Sequence, residues 1–166
     1  MRGSIKLTPS FYFVLALLFI STSCGLKPAG SNEAASVPNS SLSVYVFSAP
    51  WCAECNRELP VLKEKYFTEL TLSEQSQVSV SVFVVTGKTP GQAASQEVAD
   101  EYGNSLGLPF TMLPDKSYKM YRKYFEEGNA IPAAVLLNNN QQAIQLYEAG
   151  STDLNDLFAK IKQNLK

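Results

Sequence analysis

Apolar stretches along the chain predict four to five β-strands after residue 41. Two stretches rich in β-branched residues have the pattern of buried strands, Ser43–Phe47 and Val78–Val85. A shorter extended piece is expected near Phe110–Leu113. Ala133–Leu137 and Ala143–Tyr147 flank a polar turn rich in Asn and Gln, which predicts a terminal hairpin.

Apolar residues at steps of three and four predict helices around these strands. The expected helical stretches are Leu59–Leu70, Ala93–Leu106, Ser117–Phe125 and Leu154–Leu165. Strands separated by helices imply a partly parallel, covered sheet, to which the hairpin adds antiparallel strands. The sequence therefore predicts an α/β fold with a central mixed sheet flanked by helices.

The first 23 residues have the pattern of a secretory signal peptide. Arg2 and Lys6 give a positive start, Phe11–Ile20 is an apolar run, and the small residues Ser21–Ser23 follow it. The run is much shorter than the roughly 20 residues that a membrane-spanning helix needs. We therefore expect export and removal of residues 1–23.

Cys24 follows directly, and Ile20-Ser-Thr-Ser-Cys24 resembles the lipobox of bacterial lipoproteins. The resemblance implies a lipidated Cys24, and lipidation would explain an unpaired cysteine in an exported protein. Ser21 stands where lipoboxes have Leu, so cleavage by ordinary signal peptidase, leaving a free thiol, is the alternative. Residues 24–40 are rich in Gly, Pro, Ser and Asn, as expected of a flexible linker. By resemblance to lipoprotein sorting in diderm bacteria, Gly25 in place of Asp does not signal inner-membrane retention. The expected anchor lies on the periplasmic side of the outer or inner membrane of a bacterial cell envelope.

The composition limits the chemistry available to the remaining domain, residues 41–166. The chain has 166 residues with 14 Lys+Arg, 15 Asp+Glu, 3 Cys and no His, and its net charge is −1. Without His, imidazole-based catalytic triads and His-ligated metal sites are excluded. The balanced charge argues against a nucleic-acid-binding surface. The two remaining cysteines are therefore the main candidates for chemistry in this domain.

Cys52 and Cys55 stand where the first predicted strand ends and the first helix begins. Unpaired backbone N–H groups and the helix dipole would favour a thiolate on Cys52. Cys55 follows one helical turn later, so the pair can cycle between dithiol and disulfide. A zinc site would need two further ligands, a structural staple would close a very short loop, and an inert buried pair does not suit this turn. We expect a redox pair that uses no metal and no cofactor.

Trp51-Cys52-x-x-Cys55, Pro60 and Ile131-Pro132 before an apolar strand resemble the thioredoxin family. The resemblance is strongest to its membrane-anchored, extracytoplasmic branch of TlpA- and ResA-like thiol-disulfide oxidoreductases, and it covers nearly all of the domain. It implies a thioredoxin fold in which Pro60 kinks the active-site helix. It also implies that Ile131-Pro132 is a cis bond facing the disulfide and that the backbone of Ile131 pairs with the substrate chain.

Four positions near the pair carry further expectations. By resemblance to ResA-like proteins, Glu58 accepts the proton of the Cys55 thiol, and a solvated helix charge is the alternative. Glu54 should oppose thiolate formation on the nucleophile and favour a more reducing pair. Val46 stands where typical thioredoxins have a buried Asp. Trp51 is expected to shield the sulfur and contact partners, with a core aromatic as the alternative.

These features predict a monomeric protein thiol-disulfide oxidoreductase. Cys52 would attack a disulfide of a client protein, and Cys55 would resolve the mixed disulfide. The resemblance implies reduction of clients, with electrons from a membrane thiol-transfer protein. One alternative is a thiol peroxidase on the same fold, for which Arg57 is the available arginine. Another is a non-catalytic binding lipoprotein.

Overall fold

The computed structural model describes residues 41–126, 130–148, 150 and 152–165. The predicted signal peptide and the linker with Cys24 lie outside the described residues. Within these ranges, no helix is both long and apolar enough to cross a membrane.

The described elements follow the predicted order of strands and helices. The strands are β1 (Leu42–Ser48), β2 (Val78–Val84), β3 (Thr111–Pro114), β4 (Ala133–Asn138) and β5 (Ala143–Tyr147). The helices are α1 (Ala53–Glu69), α2 (Leu72–Gln75), α3 (Gln96–Ser105), α4 (Tyr121–Tyr124) and α5 (Leu154–Asn164), with a 3₁₀ turn at Lys116–Tyr118.

The five strands form one mixed sheet in the order β3-β2-β1-β4-β5. β1, β2 and β3 are parallel, whereas β4 is antiparallel to β1 and β5 is antiparallel to β4. The last residues of β1 and β2 therefore lie at the same end of the sheet. Because Phe47 of β1 pairs with Ala133 of β4, the first residues of β4 lie at that end too. The loops before α1 and before β4 are thereby brought together.

Both faces of the sheet are buried, and alternate residues of each strand supply the two cores. On β1, Val44 and Val46 face one core, and Phe47 faces the other. The first core is closed by α1, α3 and α5, whose buried side chains include Leu59, Leu62, Tyr102, Leu157, Phe158 and Ile161. The second core is aromatic, with the rings of Phe83, Tyr121 and Phe125 all in contact with Phe47. The predicted α/β fold with a central mixed sheet is confirmed.

The predicted helix over Ser117–Phe125 is wrong in its first half. Ser117 and Tyr118 have positive φ angles of 60° and 56°, which end the 3₁₀ turn and separate it from α4. The buried carboxylate of Asp115 then accepts hydrogen bonds from the backbone N–H groups of Met120 and Tyr121, both at 2.8 Å. A side chain from before the turn therefore supports the start of α4.

Two other differences arise from helix caps. α3 begins at Gln96 rather than Ala93, because the Ser95 hydroxyl caps it by accepting from the Val98 N–H at 3.2 Å. α2 was not predicted, and it is held by a reciprocal capping box between Thr71 and Glu74.

Candidate active site

Cys52 and Cys55 form a disulfide at the N-terminus of α1. Cys52 is the N-cap residue, as the sequence predicts, and its Sγ accepts a hydrogen bond from the Cys55 N–H at 3.1 Å. Cys55 is fully buried, whereas Cys52 retains 6% of its surface exposed. In the reduced protein, the same N–H group and the helix dipole would stabilise a thiolate on Cys52.

The peptide bond between Ile131 and Pro132 is cis, as the resemblance implied. The Cys52 Sγ lies 3.8 Å from the carbonyl oxygen of Ile131, so the loop before β4 faces the disulfide. The Tyr121 hydroxyl donates to the Ala130 carbonyl at 3.1 Å and thereby holds this loop from the aromatic core. The structure thus brings Cys52, Ile131 and Pro132 together from distant parts of the sequence.

Trp51 lies at the surface next to Cys52 in the sequence. Its side chain is 42% exposed, and its Nε1–H donates to the hydroxyl of the buried Thr86 at 2.7 Å. Thr86 follows β2, so this hydrogen bond connects the loop after β1 with the loop after β2. The core-aromatic alternative for Trp51 is therefore wrong, and the exposed part of the ring is available for contacts.

Glu58 lies one turn after Cys55 and is half-buried. Its Oε1 accepts a hydrogen bond from the Thr152 N–H at 2.9 Å, and Val46, Cys55, Pro132 and Thr152 line the same cavity. The cavity volume of about 10 Å³ is close to what one water molecule needs. Glu58 is thus not a fully solvated helix charge, and it lines the same cavity as Cys55.

Burial raises the pKa of the Glu58 carboxyl above its ordinary value. Hydrogen bonding from Thr152 and the charge of Arg57 act in the opposite direction but do not cancel the effect of burial. The Thr152 hydroxyl favours the ionised carboxylate, although it makes no well-formed hydrogen bond within the described part of the chain. A carboxyl group with a raised pKa is better matched to accept a thiol proton near neutral pH.

Glu54, in the first turn of α1, forms an ion pair with Arg57. An isolated Glu54 anion next to Cys52 would oppose thiolate formation there, as expected from the sequence. Because the Arg57 guanidinium compensates part of the charge of Glu54, this opposing effect is weaker than expected.

Several residues of the site were not identified from the sequence. Thr152 is 94 positions from Glu58, and Thr86 is 35 positions from Trp51. A threonine in a loop has no local pattern that signals such contacts, which only the folded sheet creates. Within the described ranges, no group of three or more Cys, Asp or Glu side chains is placed to hold a metal ion.

No protein-family model and no curated protein matches the sequence. Solved structures do match, among them a candidate thioredoxin from Neisseria meningitidis with 18% identity and a TM-score of 0.59, covering 78% of this chain and 79% of that one. A secreted disulfide oxidoreductase from Mycobacterium tuberculosis, described as homologous to Escherichia coli DsbE, has 18% identity and a TM-score of 0.54, covering 78% and 85%. A bacterioferritin comigratory protein from Xanthomonas campestris, which reduces alkyl peroxides, has 14% identity and a TM-score of 0.57, covering 77% and 83%. The chain therefore has the thioredoxin fold.

Proposed function

We propose that this protein is a thiol-disulfide oxidoreductase that reduces disulfides of cell-envelope proteins through Cys52 and Cys55. One observation carries the proposal: a Cys52–Cys55 disulfide caps α1 and faces the carbonyl of Ile131 before a cis-proline. The thioredoxin fold of the chain supports it. So does the residual 6% exposure of Cys52 beside a fully buried Cys55, since a partner must reach the attacking sulfur but not the resolving one.

The proposed reaction starts from the reduced pair. The Cys52 thiolate attacks one sulfur of the client disulfide, and the other client sulfur leaves with the bonding electron pair. The Cys55 thiol then gives its proton to the Glu58 carboxylate and attacks the Cys52 sulfur. The second client sulfur leaves as a thiolate, and the Cys52–Cys55 disulfide forms. The client has gained two electrons and keeps them. A membrane thiol-transfer protein would supply two others, which reduce the Cys52–Cys55 disulfide again.

During the mixed disulfide, the site offers two contacts for the client chain. The backbone of Ile131 would pair with the client segment next to its cysteine, because its carbonyl lies beside Cys52. The exposed part of the Trp51 ring would cover the sulfur from the opposite loop. Any client with a disulfide offers a backbone and a sulfur for these two contacts. They would therefore suit clients of varied sequence.

The proposed location is the bacterial cell envelope, with the monomer anchored by a lipid on Cys24. A flexible linker of about 16 residues has an r.m.s. reach of roughly 20–25 Å. The active site would then work close to the membrane surface, where the electron donor resides.

A thiol peroxidase is the alternative enzyme, because the fold is shared with a protein that reduces alkyl peroxides. The arginine that this alternative would use, Arg57, is largely exposed and pairs with Glu54. That pairing favours disulfide exchange over peroxide reduction. Consumption of hydrogen peroxide by the reduced protein would support the peroxidase instead.

The nucleophile is tested by insulin-disulfide reduction with dithiothreitol as the electron source. The protein is expected to accelerate the reduction, and Cys52→Ala is expected to return the rate to that of dithiothreitol alone. Cys24→Ala is the matched control and should keep the full rate. Retained activity in Cys52→Ala would contradict the assignment. A disulfide that fails to exchange with small thiols at neutral pH would support the non-catalytic binding alternative.

A further inference from the structure

A chain of hydrogen bonds, buried at Ser48 and part-buried at Asn56, leads from the end of β1 to the loop that carries Cys52. The Ser48 and Tyr102 hydroxyl oxygens are 3.0 Å apart, and the Tyr102 hydroxyl donates to Asn56 Oδ1 at 2.7 Å. Asn56 Nδ2 donates to the Pro50 carbonyl at 3.0 Å. Ser48 and Tyr102 are both buried, and Asn56 is the residue directly after Cys55.

The Pro50 carbonyl, at the end of this series of hydrogen bonds, determines which group donates and which accepts in every bond. The Pro50 carbonyl can only accept, so the Asn56 amide group must face it and leave Oδ1 to accept from Tyr102. The single hydroxyl proton of Tyr102 is thereby used, and Ser48 must donate to the Tyr102 oxygen. Burial raises the pKa of Tyr102, which keeps that proton in place. The aligned bonds strengthen one another, since they are at least partly shielded from water.

Asn56 holds the Cys52 loop from two sides. Its side chain binds the Pro50 carbonyl, and its backbone N–H donates to the Cys52 carbonyl at 3.1 Å. The Cys52 N–H in turn donates to the Ala49 carbonyl at 3.1 Å. The loop is therefore fixed to the first turn of α1, and Tyr102 fixes that turn to α3.

We propose that Asn56 and Tyr102 are positioning residues that hold Cys52 at the N-terminus of α1 and so sustain its reactivity as a thiolate. They act through the Pro50 carbonyl and the backbone of the loop, and their hydrogen bonds go to neither sulfur. The inference rests on the proposed exchange function and adds two residues outside the Cys-x-x-Cys motif to its machinery. Without them, the loop could shift and weaken the hydrogen bond from the Cys55 N–H to the Cys52 sulfur.

Tyr102→Phe and Asn56→Ala test the inference against the matched control Tyr66→Phe. The Tyr66 hydroxyl also makes a part-buried hydrogen bond, to the Gln75 carbonyl at 2.9 Å, but near the other end of α1. The reduced full chain is alkylated with iodoacetamide at pH 7, and modification at Cys52 is followed by peptide mass spectrometry. Tyr102→Phe and Asn56→Ala should each slow alkylation of Cys52 by at least about threefold, because less of it is thiolate. Tyr66→Phe should leave the rate unchanged.

The pH profile separates this effect from general loosening of the fold. In both variants the midpoint of the alkylation profile should move to higher pH. The charged residues around the loop are untouched by the substitutions: Glu54, Arg57 and Glu58 on α1, and Lys88 and Glu101 at the groove that Asn56 and Tyr102 line. In the Asn56→Ala background, Tyr102→Phe should add no further slowing, since both residues act through one chain of bonds.

An alkylation rate that stays the same or rises in Tyr102→Phe and Asn56→Ala would overturn the inference. Equal slowing in Tyr66→Phe would also overturn it, because the effect would then be a general loss of stability. If Tyr102→Phe does not fold, Asn56→Ala decides alone. Alkylation needs no client protein, so a failure of insulin reduction would refute the proposed function without deciding this inference.

Discussion

At the residue scale, the half-buried carboxyl group of Glu58, one turn after Cys55, makes the stability of the fold depend on pH. Its pKa is raised above the ordinary value of 4.5, mainly by burial, so folding favours the protonated carboxyl. The stability that this group contributes is fully present below about pH 4.5 and is lost as the pH rises through the raised pKa.

Glu58→Gln is therefore expected to raise the free energy of unfolding at pH 7. The amide keeps an oxygen that can accept from the Thr152 N–H and removes the half-buried charge. The gain should be less than about 1 kcal/mol, since solvent screens a half-exposed group. Urea unfolding at pH 7 and pH 4 measures it, with Glu64→Gln on an exposed part of α1 as control. A gain that is larger at pH 4 than at pH 7 would contradict the assigned sign.

The contacts of single residues also show where sequence-based prediction ends. The cysteine pair, the cis-proline and the candidate proton acceptor could be assigned because each lies in a short local motif. Their supports could not, because Thr86 and Thr152 reach Trp51 and Glu58 only after the sheet has formed. The pairing of Glu54 with Arg57 lies within one helix turn, so its spacing could have been recognised.

At the element scale, the five strands and the long helices could be predicted, because runs or periodic spacings of apolar residues mark each of them. The segment from Lys116 to Tyr124 could not. Its break depends on left-handed backbone at Ser117 and Tyr118, which neither residue type favours. α2 escaped prediction because four residues are too few to show a helical period.

α4 has only four residues, so its stability depends on Asp115 rather than on helix propensity. Asp115→Ala removes the acceptor of one buried and one part-buried N–H group. It is expected to lower the free energy of unfolding by about 2 kcal/mol. Urea denaturation measures the loss. Asp100→Ala, at an exposed position of α3, is the control and should change stability little. A loss no greater than that of the control would show that α4 does not depend on the hydrogen bonds of Asp115.

At the scale of the whole molecule, the proposed lipid on Cys24 determines where the redox domain works. Cys24→Ser is expected to move the protein from the membrane fraction to the soluble fraction of cells, because the proposed acyl chains have no other attachment point. Immunoblotting of separated fractions measures the change. The variant should keep its insulin-reducing activity, since Cys24 lies outside the redox pair. A variant that remains with the membranes would contradict lipidation at this residue.

The central claim is that Cys52 forms mixed disulfides with envelope proteins and that Cys55 resolves them. Cys55→Ser in cells tests it directly, because this variant lacks the resolving thiol and should accumulate disulfide-linked client proteins. These adducts are separated on non-reducing gels and identified by mass spectrometry, with Cys52→Ser as the matched control. The account predicts client adducts on Cys52 in Cys55→Ser that disappear with reductant and are absent from Cys52→Ser. Equal adducts in both variants, or none in either, would contradict it.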